Sequence, residues 1–430
     1  MGTELNPATR VLIATDSFTP RVDGIAVSVD SLARGLVSMG CTVAVVSPGR
    51  SFAHEVDELG VQHWRVPSVR TPLDGYPLSV ATAERMAQRI REFRPDFISI
   101  QTIGSVGLAA LQAVRRSSVP VALSWHTDFE SYLDKYRLAW LFVYPAYVRL
   151  RGKEDRGRRE LAEKEDAPRK TRMIREILAY TAREADFLIA PSAPTARYLE
   201  DLGVERPIFV LPTGVDVSEL TGGMPPAELL AAIEATPRDG RVIYAGRLSR
   251  EKGIDFLCES FSHVVARRPD ATLILTGPCK DPKMWFRLRA AKARLGRNLL
   301  VTGPVARRTM VELYRRVDVF VTASVTETQG IAVWEAALAG LPVVARDGSF
   351  GDVPDVSEDI LSGFSTPAEF GEAILGCVER RKRAAAEGGA RRVGLVGADR
   401  ARLLLDAVGV AGGAPRPASW TLRDGAWCEE

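Results

Sequence analysis

Short apolar runs recur along the chain, with segments long enough for helices between them. Such runs are typical of strands that are buried on both faces of a parallel sheet. The first half contains them at residues 10–15, 41–47, 96–100, 119–125 and 186–190. The second half repeats the series at residues 242–246, 271–277, 298–302, 317–322 and 342–345. We therefore predict an α/β protein with two Rossmann-like, doubly wound domains.

The length of 430 residues also favours more than one domain, because a single core seldom grows so large. We predict a first domain over residues 1–215 and a second over residues 216–391. A last segment, residues 392–430, is predicted to be helical as far as Val408 and is then rich in glycine and proline. The carboxyl ends of the two sheets are expected to face a central cleft, which is where the active site is predicted.

Composition excludes several classes of protein. The 57 basic and 54 acidic residues leave a net charge of only +3, which argues against a general nucleic-acid binder. The polar N-terminus does not resemble a signal peptide, and no apolar run approaches the roughly 20 residues that cross a bilayer. Five scattered cysteines favour a reducing compartment and no structural zinc. We expect a cytoplasmic protein.

Two glutamates, Glu327 and Glu335, lie with seven residues between them in an apolar segment that contains Gly330. We predict that Gly330 opens a helix, with Glu327 in the preceding loop and Glu335 on the buried side. Carboxylates accept paired hydrogen bonds from a diol, and the first N–H groups of a helix favour an anion. The alternative is a solvated first turn with one paired helical glutamate.

Two cations, Arg247 and Lys252, follow the predicted strand at residues 242–246. This places them at the carboxyl edge of the second sheet, where they can neutralise a diphosphate. An ordinary charged loop is the alternative. In the first domain, Gly24 precedes a helix that we expect to begin at Ala26, and a glycine there lets the backbone approach a phosphate closely. Taken by itself, a plain connection between a strand and a helix is the more common explanation of such a glycine.

One histidine, His126, directly follows a predicted strand, and Asp128 lies two residues further on. We expect His126 at the cleft, although a lone histidine is as often structural. No Asp-x-Asp pair occurs to hold a divalent cation against a diphosphate, so no catalytic metal and no other cofactor is predicted. The absence of a Gly-x-Gly-x-x-Gly fingerprint and of a Gly-Lys-Ser/Thr loop at the first strand disfavours nicotinamide and ATP chemistry.

With these residues in place, the chain resembles the retaining glycosyltransferases of family 4, which have the GT-B fold. The resemblance covers most of residues 10–345, and the matching segments are Pro20–Gly24, His126–Phe129, Ala190–Ser192, Pro212–Asp216, Gly246–Gly253 and the glutamate pair. A short match around Glu327 is similar to the subgroup of diacylglycerol glycosyltransferases and related mannosyltransferases. The resemblance implies an acceptor site in the first domain, a nucleotide-sugar site in the second, and a final helix that returns to the first.

The resemblance also implies roles for individual residues. Arg247 and Lys252 would neutralise the leaving diphosphate without a metal. Glu335 would hold the ribose hydroxyls, and Glu327 the donor sugar. The donor site would also include Gly24, Gln329, Gly330 and Ile331, and His126 would contact the sugar near the reacting carbon. The acceptor side would include Asp23, Asp128 and Tyr132.

The implied activity is transfer of a hexosyl unit from a UDP- or GDP-hexose to a hydroxyl acceptor, with retention. The acceptor classes considered are a lipid, a secondary metabolite and a glycan. No protein nucleophile is required when a phosphate oxygen takes the acceptor proton. Two alternatives stay open: a nucleotide-sugar epimerase or hydrolase, and a non-catalytic sugar-nucleotide binder. This chain departs from the family pattern at Gln101, where a histidine is common, at Gln329, where a phenylalanine is common, and in a contracted segment at residues 346–367.

A basic segment at residues 149–175 holds 11 Lys/Arg and 6 Asp/Glu, directly after the aromatic-rich residues 138–148. Two interpretations stay open. Residues 138–175 contact an anionic membrane surface, which makes the protein peripheral at the inner face of the membrane. Alternatively, the segment is a solvated helix of mixed charge.

Overall fold

The chain divides by its internal contacts into two compact units, Met1–Gly214 together with Leu395–Glu430, and Val215–Gly394. The roles that the sequence assigns to the two domains stay predictions. The computed structural model describes residues 9–21, 23–70, 77–115, 117–127, 169–213, 222–237, 240–324, 327–328, 330–348, 360–387, 404, 420–423 and 426–429.

The first unit is built on a nine-stranded sheet, in the order β3-β4-β2-β1-β6-β7-β8-β9 with β5 paired to β4. Neighbouring strands are parallel except for the β3–β4 and β4–β5 pairs. The strands are β1 (Arg10–Ala14), β2 (Thr42–Gly49), β3 (Ala53–Val56), β4 (Gln62–Arg70), β5 (Pro77–Ser79), β6 (Phe97–Ile100), β7 (Val121–Ser124), β8 (Phe187–Ala190) and β9 (Ile208–Val210).

Strand β1 shows why these apolar runs become central strands. Leu12 packs in the core on one face of the sheet, whereas Val11 and Ile13 pack in the core on the other. Both faces are covered by helices, as a parallel sheet requires. Leu404 is buried in the second of these cores. The described helices of this unit are α1 (Gly24–Ser38), α2 (Ala83–Phe93), α3 (Ser105–Val114), α4 (Arg169–Arg183) and α5 (Ala193–Asp201).

The second unit contains a six-stranded parallel sheet, in the order β12-β11-β10-β13-β14-β15. The strands are β10 (Arg241–Ala245), β11 (Thr272–Thr276), β12 (Leu299–Gly303), β13 (Val319–Thr322), β14 (Val343–Ala345) and β15 (Ile360–Ser362). The helices are α6 (Ala227–Glu234), α7 (Ile254–Arg267), α8 (Pro282–Leu295), α9 (Met310–Tyr314), α10 (Ile331–Leu338) and α11 (Pro367–Glu387). Numbered within the unit, the strands follow the nucleotide-binding order 3-2-1-4-5-6.

The predicted fold class is confirmed in both units, because each sheet reverses its strand order at one point, between β1 and β6 and between β10 and β13. All ten predicted strands are present, with ends within two residues of the expected positions. The sequence analysis missed β3, β4, β5, β9, β15 and a C-terminal antiparallel hairpin of β16 (Trp420–Arg423) and β17 (Ala426–Glu429). The expected start of α1 at Ala26 was wrong by two residues.

Candidate active site

The strand reversal of the second sheet brings two predicted loops together. The loop after β10 carries Arg247 and Lys252, and the loop after the neighbouring strand β13 carries Glu327. Both loops leave the carboxyl edge of the sheet, where α/β proteins bind ligands at the point of strand reversal. The second sheet therefore places two cations and one carboxylate at the same edge.

A glycine fixes the turn that presents Lys252. Residues Arg250–Lys252 form one turn of 3-10 helix, and Gly253 follows with a φ of 65°, in the left-handed region. A Cβ atom at Gly253 would lie 2.2 Å from the carbonyl oxygen of Ala323. No other residue tolerates that contact, so the turn can approach the end of β13 only because residue 253 is glycine.

Lys252 and Glu327 form a short ion pair. Lys252 Nζ donates to Glu327 Oε1 at 2.6 Å, and the two side chains are 21% and 17% exposed. The backbone N–H of Glu327 also faces Asp347 Oδ2 at 3.4 Å. The pair holds one positive and one negative group side by side. An incoming phosphate can therefore bind the ammonium, while hydroxyls donate hydrogen bonds to the carboxylate.

Arg247 lies in the same loop with its side chain about half exposed, and Arg247 Nη2 is 3.6 Å from Glu251 Oε1. The backbone of Arg247 is fixed in position, because the buried Tyr244 hydroxyl donates to the Arg247 carbonyl at 2.9 Å. Burial raises the pKa of Tyr244 far above its ordinary value, and the nearby Glu327 charge raises it further. Tyr244 therefore stays a neutral hydrogen-bond donor, and the Arg247 guanidinium remains accessible.

Helix α10 begins as the sequence predicted. Gly330 is its N-cap residue, with a φ of 69°, and no side chain caps the helix. The Val333 N–H donates to the Gly330 carbonyl at 2.8 Å, whereas the N–H groups before Val333 in the first turn have no partner within the helix. These N–H groups give the helix start a preference for anions.

Glu335 lies one turn into α10 and is only 6% exposed. Arg307 Nε donates to Glu335 Oε1 at 2.8 Å. Tyr314 is fully buried nearby, and its hydroxyl has no hydrogen-bond partner among the described residues. Burial raises the pKa of Tyr314, the Glu335 charge adds to this, and Arg307 opposes it. Glu335 is thus a buried carboxylate that forms an ion pair with Arg307.

The sequence analysis missed Arg307. It belongs to the 3-10 turn Arg307–Thr309, which follows β12, and it is 28 residues before Glu335 in the chain. The only available signal was its position shortly after a predicted strand, on the edge that carries Lys252. A cavity of about 760 Å³ lies beside this turn and is lined by Ala306 and Arg308, but not by Lys252 or Glu327.

In the first unit, His126 follows β7 and meets Gln101, which follows β6. His126 Nε2 is 2.8 Å from Gln101 Oε1. The Gln101 amide nitrogen donates to Ser99 Oγ at 2.7 Å and to Ser124 Oγ at 3.1 Å. These bonds turn the amide oxygen toward His126, so His126 Nε2 carries a proton and the ring orientation is fixed. Gln101, a departure from the family pattern, positions His126.

Asp23 and Gly24 have local structural roles at the start of α1. Asp23 is the N-cap residue, and its carboxylate accepts from Ser17 Oγ at 2.7 Å, Arg21 Nε at 2.5 Å and the Ala26 N–H at 3.0 Å. Burial alone would raise the pKa of Asp23, but these hydrogen bonds together hold it below its ordinary value of 3.8. Gly24 is the first helical residue rather than part of a turn, and its φ is not positive.

Several predicted residues lie outside the described part of the chain. These are Asp128, Tyr132 and Gln329, together with most of residues 138–175. Among the described residues, no group of three or more His, Cys, Asp or Glu side chains is arranged to hold a metal ion. A search of the same residues finds no helix that is long and apolar enough to cross a membrane.

Two family profiles match the chain. The first, described as Glycosyltransferase Family 4, matches residues 22–219, and the second, described as Glycosyl transferases group 1, matches residues 239–380. The division between the two matches falls near the boundary between the two units.

Named relatives match most of the chain. An alpha-monoglucosyldiacylglycerol synthase of Acholeplasma laidlawii is 25% identical over 78% of this chain and 80% of its own length. A GDP-mannose-dependent alpha-mannosyltransferase of Corynebacterium glutamicum is 25% identical over 86% of this chain and 80% of its own length. Among solved structures, Anabaena HepE in complex with UDP has a TM-score of 0.60 at 17% identity, and covers 93% of this chain and 95% of its own. This last likeness shows a shared fold.

Proposed function

Because the chain belongs to glycosyltransferase family 4, and is a glycosyltransferase with the GT-B fold, we propose that it transfers a hexosyl unit from a UDP- or GDP-hexose to a hydroxyl acceptor with retention. The observation that carries the proposal is the Lys252–Glu327 ion pair at the strand reversal of the second sheet. When a sugar nucleotide binds, its phosphates replace Glu327 as the partner of Lys252, and its sugar hydroxyls replace Lys252 as the partner of Glu327.

The donor diphosphate is proposed to bind Lys252, Arg247 and the first N–H groups of α10. The Lys252 ammonium lies 2.6 Å from Glu327 Oε1, which neutralises it. A diphosphate brings more negative charge than one carboxylate, so it can replace Glu327 on Lys252 and leave Glu327 available to sugar hydroxyls. As the leaving group gains charge, both cations stabilise the transition state without a metal.

The ribose is proposed to bind Glu335. An isolated buried charge is costly, and the Arg307 counter-ion at 2.8 Å offsets much of that cost for Glu335. Arg307 also holds the carboxylate in one orientation, which favours a defined geometry for the hydrogen bonds with a diol. The ribose end of the donor would therefore meet a fixed hydrogen-bond acceptor.

Retention is proposed to proceed by attack of the acceptor hydroxyl on the face that the leaving phosphate vacates. The new glycosidic bond forms as the bond between the sugar and the phosphate oxygen breaks, and a phosphate oxygen takes the acceptor proton. His126, with a protonated Nε2 fixed by Gln101, would contact the donor sugar near the reacting carbon. No protein nucleophile takes part.

The acceptor is proposed to be a hydroxyl of a lipid or of a glycan, since the named relatives include a diacylglycerol glycosyltransferase and a mannosyltransferase. A lipid acceptor agrees with the proposal that residues 138–175 contact an anionic membrane surface. Liposome flotation of the protein with and without residues 150–172 tests that contact. Equal partitioning of the two forms would exclude it.

A thermal-shift screen of nucleotide diphosphate sugars tests the donor assignment. A bound donor stabilises the folded state by about 2.7 kcal/mol at a concentration of 100 Kd, so the melting temperature rises. We expect this rise for UDP- or GDP-hexose with the native chain and its loss in Lys252→Ala and Glu335→Ala. Identical donor responses in the native chain and in both variants would refute the site.

Product analysis tests the reaction. NMR of the product formed with a simple hydroxyl acceptor is expected to show the same anomeric configuration as the donor. Donor conversion at the same rate without any acceptor would instead favour the epimerase or hydrolase alternative.

A further inference from the structure

Helix α8 exposes two adjacent aromatic side chains in its first turn. Trp285 is 50% exposed and Phe286 is 67% exposed. The opposite face of the helix carries Met284, Leu288, Ala291 and Leu295, which are buried in the core of the second unit. The helix is therefore anchored without the two aromatics. Adjacent exposed aromatics on such a helix are typical of a contact surface.

The same helix is strongly basic. Residues 280–297 include one acidic residue, Asp281, and seven basic ones: Lys280, Lys283, Arg287, Arg289, Lys292, Arg294 and Arg297. Arg287 pairs with Asp255, and Arg297 pairs with Asp270. Of the residues that the structure describes, none supplies a carboxylate in an ion pair with Lys283, Arg289 or Arg294. The aromatics thus lie among several cations that are not neutralised by ion pairs.

We propose that this basic aromatic face of α8 docks on an anionic lipid surface. A helix that lies in the membrane interface combines Trp or Phe on one face with Lys and Arg beside them. Each cation near a negatively charged bilayer adds to the attraction. The aromatic rings enter the boundary between headgroups and acyl chains, and the long basic side chains reach the phosphates.

The arrangement of the rings favours a bilayer over nucleic acid. Arg289 lies over the Trp285 ring at 4.9 Å, and Phe286 contacts Trp285 edge to face at 6.2 Å. Arg289 covers one face of Trp285, so this ring can stack a base on its other face at most. A second copy of the chain is disfavoured too, because a two-fold contact would place this basic face against itself.

The surface lies on the second unit and is distinct from residues 138–175. It does not depend on the identity of donor or acceptor. The second unit, which carries the proposed donor site, therefore binds a membrane through a surface of its own.

Vesicle flotation of the full chain tests the proposal. We expect binding to vesicles of phosphatidylcholine with phosphatidylglycerol, and much weaker binding to phosphatidylcholine alone. The double substitution Trp285→Ser with Phe286→Ser should lower the partition coefficient about tenfold, and Lys283→Glu with Arg289→Glu should do the same. Met224→Ser, which alters a residue that is 64% exposed elsewhere in this unit, is the matched control and should not change partitioning.

A second readout uses Trp285→Phe, which keeps the apolar contact. To exclude the signal of Trp140, which lies in residues 138–175, both forms carry Trp140→Phe. The form that keeps Trp285 should change its tryptophan fluorescence when anionic vesicles are added, and the form with Trp285→Phe should lose most of that change. Equal flotation of the native chain and both double variants, with fluorescence unchanged on vesicle addition, would overturn the proposal. So would a result in which the aromatic variants lose nucleic-acid binding or self-association and keep vesicle binding.

Discussion

The two sheets reverse their strand order in the same way, yet they use carboxylates differently at that point. In the first unit Asp16, after β1, is 1% exposed and accepts hydrogen bonds from Thr102 Oγ1, Ser105 Oγ and the N–H groups of Val106 and Gly107. These groups lie at or next to the start of α3. The carboxylate therefore serves the fold, since it satisfies donors at a helix start.

In the second unit the partner of Glu327 is the ammonium of Lys252 rather than the donors at a helix start. An ion pair can be exchanged for a ligand without unfolding the surrounding chain, whereas a buried carboxylate that satisfies several donors cannot. Position in the fold therefore does not decide the role of a carboxylate. Its hydrogen-bond partners decide it.

The largest effect is expected from Lys252→Met. Loss of the ammonium should lower kcat/KM for the donor on the order of 10³-fold, with the melting temperature unchanged, because the residue acts on transition-state charge. Steady-state kinetics and thermal denaturation measure the two quantities. Arg315→Met removes an exposed ion pair of the same unit and is the control, with no expected kinetic effect. If Lys252→Met lowered the melting temperature and left kcat/KM unchanged, Lys252 would serve the fold and not the reaction.

Asp16→Ala should show the opposite pattern. Several buried donors would lose their acceptor, so the free energy of unfolding should fall by about 3 kcal/mol. Urea denaturation measures this fall. Asp30→Ala breaks only the exposed pair with Arg34 and should cost less than about 1 kcal/mol. Similar stabilities of the two variants would mean that Asp16 does not serve the fold.

Arg307→Met should raise the KM for the donor about tenfold, which corresponds to a loss of about 1.4 kcal/mol of binding. The effect should disappear with a 2′-deoxy donor, because Arg307 acts through Glu335 on the ribose diol. Arg308→Met, at the neighbouring exposed residue, is the control. If the substitution affected both donors equally, Arg307 would act on another part of the nucleotide.

The smallest effect is expected at the α1 cap. Asp23 has a lowered pKa, so its stabilisation is present above its ordinary value of 3.8 and is lost as the pH falls through the lower folded value. Asp23→Ala should therefore cost about 1 kcal/mol near neutral pH and progressively less in acid. Thermal denaturation across this pH range measures the difference. A difference that does not vary with pH would show that the carboxylate charge plays no part.

The sequence predicted the central strands because their apolar runs are continuous. It missed β3 because that strand is largely exposed, and β15 because it is a short edge strand. For the site, the loops with Lys252 and Glu327 follow from strand order. The pairing of Glu335 with Arg307 could not be predicted in this way. Arg307 lies in a different loop, and a contact between distant segments leaves no periodic signal in the sequence.

The most direct test is the structure of the chain with a bound UDP- or GDP-hexose. We expect Lys252 Nζ to leave Glu327 and to lie roughly 3 Å from a phosphate oxygen, with Glu327 accepting hydrogen bonds from the sugar hydroxyls. A complex in which the nucleotide binds elsewhere and the Lys252–Glu327 pair keeps its 2.6 Å distance would contradict this expectation.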